Sequence, residues 1–349
     1  MTRQFFSVTA LVFATTLTQH PVTAAKPGGA SPSIIDLGTL GTFSDAFGIN
    51  NDPDNIQVVG MSTRADGFTH GFFWTAATRM IDLGTLGRGS NAADINNHGV
   101  IAGGSEDALR QRWAIVWTMS SGVWAIEKLG TGSANGLNNG TAGDPAAVAV
   151  VGRSGSSDGS HAVMWKRGTT EWLIEDLGTL PGDMSSSAYD VNDSETVVGV
   201  SVSSTLIQRA FRWTPSTGMV ELPGLGGETM ALAIGNSGDV AGLSTDGGGN
   251  RHAVRWRAGD NAIQDLGSLG GCCSEGYGIN TTGTAVGVSQ LGGKRGNQHA
   301  FLATPGASMT DLGALRGQSA ARDLNDFGTI VGSSGGGNGQ LHAAIWKKP

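Results

Sequence analysis

The sequence predicts an all-β fold, a seven-bladed β-propeller built of four-stranded antiparallel blades. Three observations predict it: a motif that returns seven times, four strand-like pieces within each return, and a phase offset between the two ends of the array. The leucine of an Asp-Leu-Gly element falls at Leu37, Leu83, Leu129, Leu177, Leu222, Leu266 and Leu312, with successive gaps of 46, 46, 48, 45, 44 and 46. A unit of this length holding four short strands is one propeller blade, and seven make an ordinary ring.

Strand a carries a small residue ahead of an aliphatic one and then usually Asn, as in AFGIN from Ala46 and AYDVN from Ala188. A turn follows, Asn96 to Gly99 or Asn325 to Gly328, in which Asn closes onto its own backbone and Gly accepts positive φ. Strand b reads VVGxS, with a Gly-any-Ser trio in every copy ending at Ser62, Ser105, Ser154, Ser201, Ser244, Ser289 and Ser334. Strand c is HAFxW, whose tryptophans (Trp74, Trp117, Trp165, Trp213, Trp256, Trp346) are expected to wedge between blades, with Ala303 in the sixth copy. Strand d is the Asp-Leu-Gly run. The array opens on a lone d piece, Ile34 to Gly38, and stops after a c piece, His342 to Trp346. Pairing of the two ends in one blade would latch the ring, whereas an open β-solenoid has no use for the offset.

Together these units resemble the HAF (His-Ala-Phe) repeat of predicted bacterial extracellular proteins. The resemblance covers Ile34 to Trp346 and rests on DLGTLG, the Ile-Asn turn, VVGxS and HAFxW; HAF itself is intact only at His299, and copy two reads RWAIVW from Arg112. It implies a secreted, propeller-like protein, and it supplies no activity for any position.

Composition agrees with a folded chain. Its 57 glycines accompany 39% hydrophobic residues and nine tryptophans, so they read as turns and bulges rather than disorder. A net charge of −7 with no Lys/Arg block excludes a nucleic-acid partner. Residues 1–25 read as a signal peptide: Arg3 leads, an apolar run from Phe5 to Leu17 follows, and small residues surround Ala24. That run is too short to span a bilayer, so the expectation is a secreted or periplasmic, extracellular protein with no membrane span. A disordered lead-in is assigned to 26–33 and a single, monomeric propeller to 34–349.

Ser, His and Asp in each unit are the ingredients of a hydrolase triad. A triad is needed once, however, and here the serine recurs seven times and the histidine five, as His70, His161, His252, His299 and His342. Recurrence with the period of the fold points to a structural hydrogen-bond network tying b, c and d inside each blade, with Ser62, Ser154, Ser244, Ser289 and Ser334 beside those histidines. The G-x-S-x-G match at Gly332 to Gly336 is the same strand-b serine, without the helix of a nucleophile elbow.

Function is sought where one copy departs from the others. Asp94, Asp190 and Asp323 replace the small residue before the strand-a aliphatic. If a is innermost they face the channel, either holding a hard cation such as Ca2+ or simply solvated. Trp124 and Trp172 sit at equivalent positions before strand d of consecutive units, either as a ligand-stacking patch or as covers for an exposed edge. Adjacent Cys272 and Cys273 form a vicinal disulfide or stay reduced. The reading is an exported binding or scaffold module for a glycan or protein ligand, with variable b–c loops presenting the site. The alternative is a propeller enzyme acting on polysaccharide or lactone substrates through the channel carboxylates.

Overall fold

The computed structural model describes residues 32–140, 147–156, 159–293 and 297–347. The signal peptide assigned to 1–25 lies outside the described residues, as does 26–31 of the lead-in; Ser33 opens the first strand. Seven four-stranded antiparallel sheets follow one another along the chain. Blades 1 to 6 cover 44–82, 87–131, 133–178, 183–221, 226–265 and 270–313. Blade 7 takes strands a, b and c from 319–347 and strand d from the other end of the chain. Ser33–Asp36 pairs with Leu341–Lys347, Ile34 opposite Trp346 and Ile35 opposite Ile345. The phase offset is thus the latch that closes the ring.

Each strand a is bulged, between Ala46 and Gly48 in blade 1 and at the matching residues of the other six. A bulge places two consecutive side chains on one side of a strand. Pairs such as Ala93 and Asp94, Tyr189 and Asp190, and Arg322 and Asp323 accordingly both line the central channel.

Apolar clusters seal the joints between blades. Val59, Phe73 and Leu83 of blade 1 meet Ala92, Ile95, Ile101 and Trp117 of blade 2. The strand-c tryptophans wedge there as expected, Trp74 at joint 7–1, Trp117 at 1–2, Trp165 at 2–3, Trp213 at 3–4, Trp256 at 4–5 and Trp346 at 6–7. Trp117 and Trp256 also donate their indole N–H to carbonyls of Leu83 (3.0 Å) and Pro223 (2.7 Å). Ala303 stands at joint 5–6, and there the core splits into two smaller clusters.

The a–b turns do more than reverse the chain. Asn96 Oδ1 accepts from His98 and Val100 N–H at 3.0 Å, and Asn192, Asn280 and Asn325 repeat this. Their Nδ2 atoms reach the next blade: Asn96 donates to Asn138 O, Asn138 to Asn192 O, Asn192 to Gly235 O, Asn280 to Asn325 O and Asn325 to Asn50 O, at 3.0–3.4 Å. Gly235 has no amide to offer blade 6. Joint 5–6 therefore lacks both the tryptophan and the asparagine bridge. In native-state hydrogen exchange, the strand-a amides of blade 6 are expected to open before those of the other blades; uniform protection around the ring would contradict this.

Candidate functional site: the channel and the loop face

The repeated polar groups are absorbed by the fold in two separate ways. The first is a c–d clasp within a blade. Nδ1 of His70, His161, His252, His299 and His342 lies 2.8–2.9 Å from the carboxylates of Asp82, Asp176, Asp265, Asp311 and Asp36. Each of these aspartates also accepts the N–H of the glycine two residues on, for example Gly38 at 2.8 Å. The second joins blades, and here the expectation of a network confined to one blade is corrected. Ser62, Ser244, Ser289 and Ser334 Oγ accept the N–H of Leu40, Leu225, Leu269 and Leu315, which belong to the connection arriving from the preceding blade. Ser154 makes no such bond among the described residues, because the connection into blade 3 is shorter. Serine and histidine are cross-strand neighbours, as at Ser62 and His70, but the serine hydroxyls serve the connections, so no triad forms.

Two copies preserve the clasp with different chemistry. In blade 4, Arg209 and Glu221 form it as an ion pair at 2.8 Å. In blade 2, Trp113 takes the histidine position and the ammonium of Lys128 stands 3.9 Å from its ring centroid. A contact kept while its chemistry changes serves geometry.

A further bridge escaped the sequence reading. Ser44, Ser90, Ser186, Ser274 and Ser319, at the start of strand a, accept the N–H after the clasp position of the preceding blade and donate to the glycine carbonyl of its Asp-Leu-Gly run. Thr229 accepts in the same way. The signal was available, since these residues recur two positions before the small residue of strand a.

Asp94, Asp190 and Asp323 do line the channel, at its waist, where the mouths at either end meet. They are neither free in solvent nor gathered as a cation cage. Among the described residues no group of three His, Cys, Asp or Glu side chains is placed to hold a metal. Each carboxylate accepts two backbone N–H groups that the strand-a bulges release: its own following residue and the equivalent residue of the next blade. Asp94 takes Ile95 (2.7 Å) and Leu137 (3.1 Å), Asp190 takes Val191 (2.7 Å) and Ile234 (2.8 Å), and Asp323 takes Leu324 (2.7 Å) and Ile49 (3.1 Å). Three carboxylates thus serve blades 2 and 3, 4 and 5, and 7 and 1, which explains their uneven spacing. On the other side of each stands a glycine. A Cβ on Gly48, Gly136 or Gly278 would come 2.9 Å from the aspartate Cα of the next blade.

Burial pushes all three carboxyls up to about 7, and the charge of another member of the trio adds to the rise. The unfolded chain releases these protons near pH 4, so between about 4 and 7 the folded state binds more protons. Stability from the trio is present in full below pH 4 and declines as pH rises through 7. A loss on the order of 1–3 kcal/mol in all, allowing for channel solvent and mutual coupling, is expected. Thermal unfolding should show a Tm a few degrees higher at pH 5 than at pH 8, with a shallower dependence in Asp190→Ala; parallel curves for the two proteins would contradict it.

Strands alternate in direction, so a–b and c–d turns share one end of the ring, while b–c loops and d–a connections share the other, the loop face. The turn-side rim is an almost continuous ring of backbone N–H to side-chain oxygen bonds. Asn51 donates to Asn97, Asn97 to Asn139, Asn139 to Asp193, Asp193 to Asn236, Thr281 to Asp326 and Asp326 to Asn51, at 2.7–2.9 Å. It is interrupted at joint 5–6, where Thr281 brings no amide or carboxylate oxygen. The loop-face mouth is chemically mixed, with Phe47, Asn135, Tyr189, Tyr277 and Arg322 around the aspartates.

Trp124 and Trp172 stand on neighbouring outer edges, both half-buried. Trp124 packs on Phe73 of blade 1 with ring centroids 5.0 Å apart, and Trp172 covers joint 2–3 under the guanidinium of Arg167. Both indole nitrogens are buried. Cys272 and Cys273 are joined as a disulfide and lie within strand a of blade 6, Gly270–Ile279, rather than in a free loop. Among the described residues no helix is long and apolar enough to cross a membrane.

No protein-family model and no curated protein matches the chain. Among solved structures it is similar to the β-propeller domain of the Trilobed protease from Pyrococcus furiosus, at 10% identity and TM-score 0.57, covering 88% of this chain and 96% of that one. That domain is described as having an open velcro topology, whereas the present ring is latched by its first strand. It is also similar to Pyrococcus horikoshii acylaminoacyl peptidase (10%, TM-score 0.53, 89% of this chain, 52% of that one). A puromycin-hydrolyzing peptidase of Mycobacterium tuberculosis matches at 15% and TM-score 0.50, over 88% of this chain and 50% of that one. The chain spans about half the length of these two peptidases. At such identities the shared property is the fold: this chain is a seven-bladed β-propeller.

Proposed function

We propose that the protein is an exported β-propeller binding module, of the HAF-repeat type that its units resemble, taking a glycan or protein ligand on the loop face. One observation carries this reading. The repeated His, Ser, Asp, Asn and Trp side chains are engaged in clasps, bridges and joints, and the loop face holds a non-repeating set of aromatic, amide and guanidinium groups around open recesses. Such a set suits recognition better than turnover. Export is tested by the N-terminus of the secreted protein, expected after residue 25. Binding is tested on immobilised glycans and proteins. Retention by the wild type, loss in a loop-face variant such as Phe68→Ala, and retention in the Trp124→Ala, Trp172→Ala double variant support the loop face; the reverse pattern would move the ligand to the outer edge.

A second reading, an enzyme acting on polysaccharide or lactone substrates, is favoured by one feature: carboxyls that titrate near 7 in a channel have the poise of a general acid. Their engagement with two N–H groups each weighs against it. Turnover abolished in Asp190→Asn, with the fold intact, would establish it.

A further inference from the structure

The repeat departs most from itself at joint 2–3. Ala134 of strand a follows the Gly130 of its connection by four residues, where the other joints use seven to ten. Strands c and d of blade 2 pair as far as Trp113 and Thr131, and the chain turns at once into blade 3 through Gly132. Gly132 donates to the carbonyl of Arg112 at 3.1 Å. Its other side presses on Arg153, whose carbonyl oxygen would stand 1.9 Å from any Cβ there. The short connection thus sets two arginines of adjacent blades on either side of one glycine, with nothing of the usual loop above them.

Their surroundings leave these charges only partly compensated, since Glu106, the acid whose charge reaches Arg112, is already paired with Arg88. Five other loop-face arginines have acid partners, Arg64 with Asp82, Arg88 with Glu106, Arg209 with Asp183, Arg251 with Glu275 and Arg322 with Asp45, while Arg110 on the b–c loop of blade 2 and Arg316 on the connection into blade 7 stand apart from each other and from this joint. Among the described residues, Arg112 and Arg153 are in no ion pair. Arg112 donates to Asn91 Oδ1 at 2.7 Å, and its guanidinium is held below the usual arginine range by burial and by the charge of Arg153, against the pull of Glu106. Arg153 lines a recess of about 390 Å3 with Ser133, Asn135, Ser187, Tyr189 and Gln208. Arg112 lines a second, of about 540 Å3, with Phe47, Phe68, Asn91 and the Arg88–Glu106 ion pair. The channel mouth joins them, sharing Phe47 with one and Asn135 and Tyr189 with the other.

We propose that this groove over blades 1 to 4 binds a linear acidic saccharide, with Arg112 and Arg153 receiving its carboxylates. The inference rests on the loop-face reading above and names its ligand class. Planar guanidinium groups pair carboxylates in bidentate fashion. Tyr189 and Phe68 offer faces for sugar rings. Asn135, whose Nδ2 is engaged by Ala188 O at 2.7 Å, keeps Oδ1 as an acceptor for a hydroxyl, and the serines and Gln208 add further hydroxyl partners.

The test is calorimetric titration of the full chain with trigalacturonate at low salt, with maltotriose as the neutral probe and inorganic sulfate as the bare oxyanion. Trigalacturonate is expected to bind at least tenfold more tightly than either, to weaken at least tenfold in Arg153→Gln, to be lost in the Arg112→Gln, Arg153→Gln double variant, and to weaken with salt. Should the double variant be destabilised, Arg153→Gln decides alone, since Arg153 is exposed. Equal binding of sulfate or maltotriose overturns the proposal, as does wild-type affinity in a folded Arg153→Gln. Neutral-glycan binding that persists in the double variant overturns this site and leaves the loop-face module standing; a wild type that binds no glycan and no protein overturns both.

Discussion

Deleting residues 1–38 is expected to yield a chain that does not reach the native ring. The segment carries strand d of blade 7 and its anchor. Leu37 is 3% exposed inside the joint 7–1 cluster, and Ile34 and Ile35 pack on the clusters at either side of blade 7. Leu37 N–H donates to Ala343 O at 2.9 Å, and Asp36 clasps His342. Removing three such side chains forfeits roughly 1.5–3 kcal/mol each, before the lost ladder is counted. A domain of this kind stands only about 5–15 kcal/mol above its unfolded state. The deletion also bares strand c of blade 7, a hydrophobic edge ending in Ala344, Ile345 and Trp346, which is a template for intermolecular pairing. Soluble yield and thermal unfolding, with a 1–31 deletion as the control, measure the effect. A deleted protein melting within a few degrees of the control would show that the ring closes without its latch.

Gly242→Ala should be nearly as damaging for a change of one methyl group. Gly242 is the glycine of the Gly-any-Ser trio, facing the strand-a bulge of blade 5 at Ala231 and Ala233. A Cβ there would lie 2.0 Å from the carbonyl oxygen of Met230 and 2.9 Å from the ring of Trp256. Neither neighbour can retreat: one is backbone in a sheet, the other a fully buried indole. Strand a must separate from strand b or the tryptophan must leave its joint, a cost on the order of 4 kcal/mol or more. Chemical denaturation is the measurement, with Gly247→Ala, where open space surrounds the Cβ, as the comparison. A midpoint equal to that of the comparison would mean that the close approach is relieved at little cost.

The same seven positions show what a period can and cannot convey. Gly60, Gly103, Gly152, Gly199, Gly242, Gly287 and Gly332 stand out by recurrence alone, and a Cβ on any of them would come within 1.9–2.1 Å of a strand-a carbonyl oxygen. Recurrence marked them as structural but held no record of the carbonyl that makes them so, because that carbonyl comes from a bulge formed only when two strands pair. The asparagines are a parallel case: a local turn was legible in Asn-any-any-Gly, since Asn96 and its turn are neighbours in sequence. The bridge from Asn96 to Asn138 was not, since it spans two blades. The aspartate trio was found as a departure from the repeat, and its two-blade hydrogen bonds became apparent only with the ring in view.

The chain alone determined the number of blades, the four strands of each, the latch and the structural character of the repeated polar residues. All of these are written in periodicity and phase, which are properties of one dimension. Tertiary structure decided which groups meet across the joints: the carboxylates that each staple two blades, the joint 5–6 left without an asparagine bridge, and the shortened connection that leaves Arg112 and Arg153 side by side outside any ion pair among the described residues. Those depend on how adjacent blades are turned against one another in the closed ring. Spacing along a chain carries no information about that turn, because residues forty apart become neighbours only when apolar joints and bulged strands fix their distance.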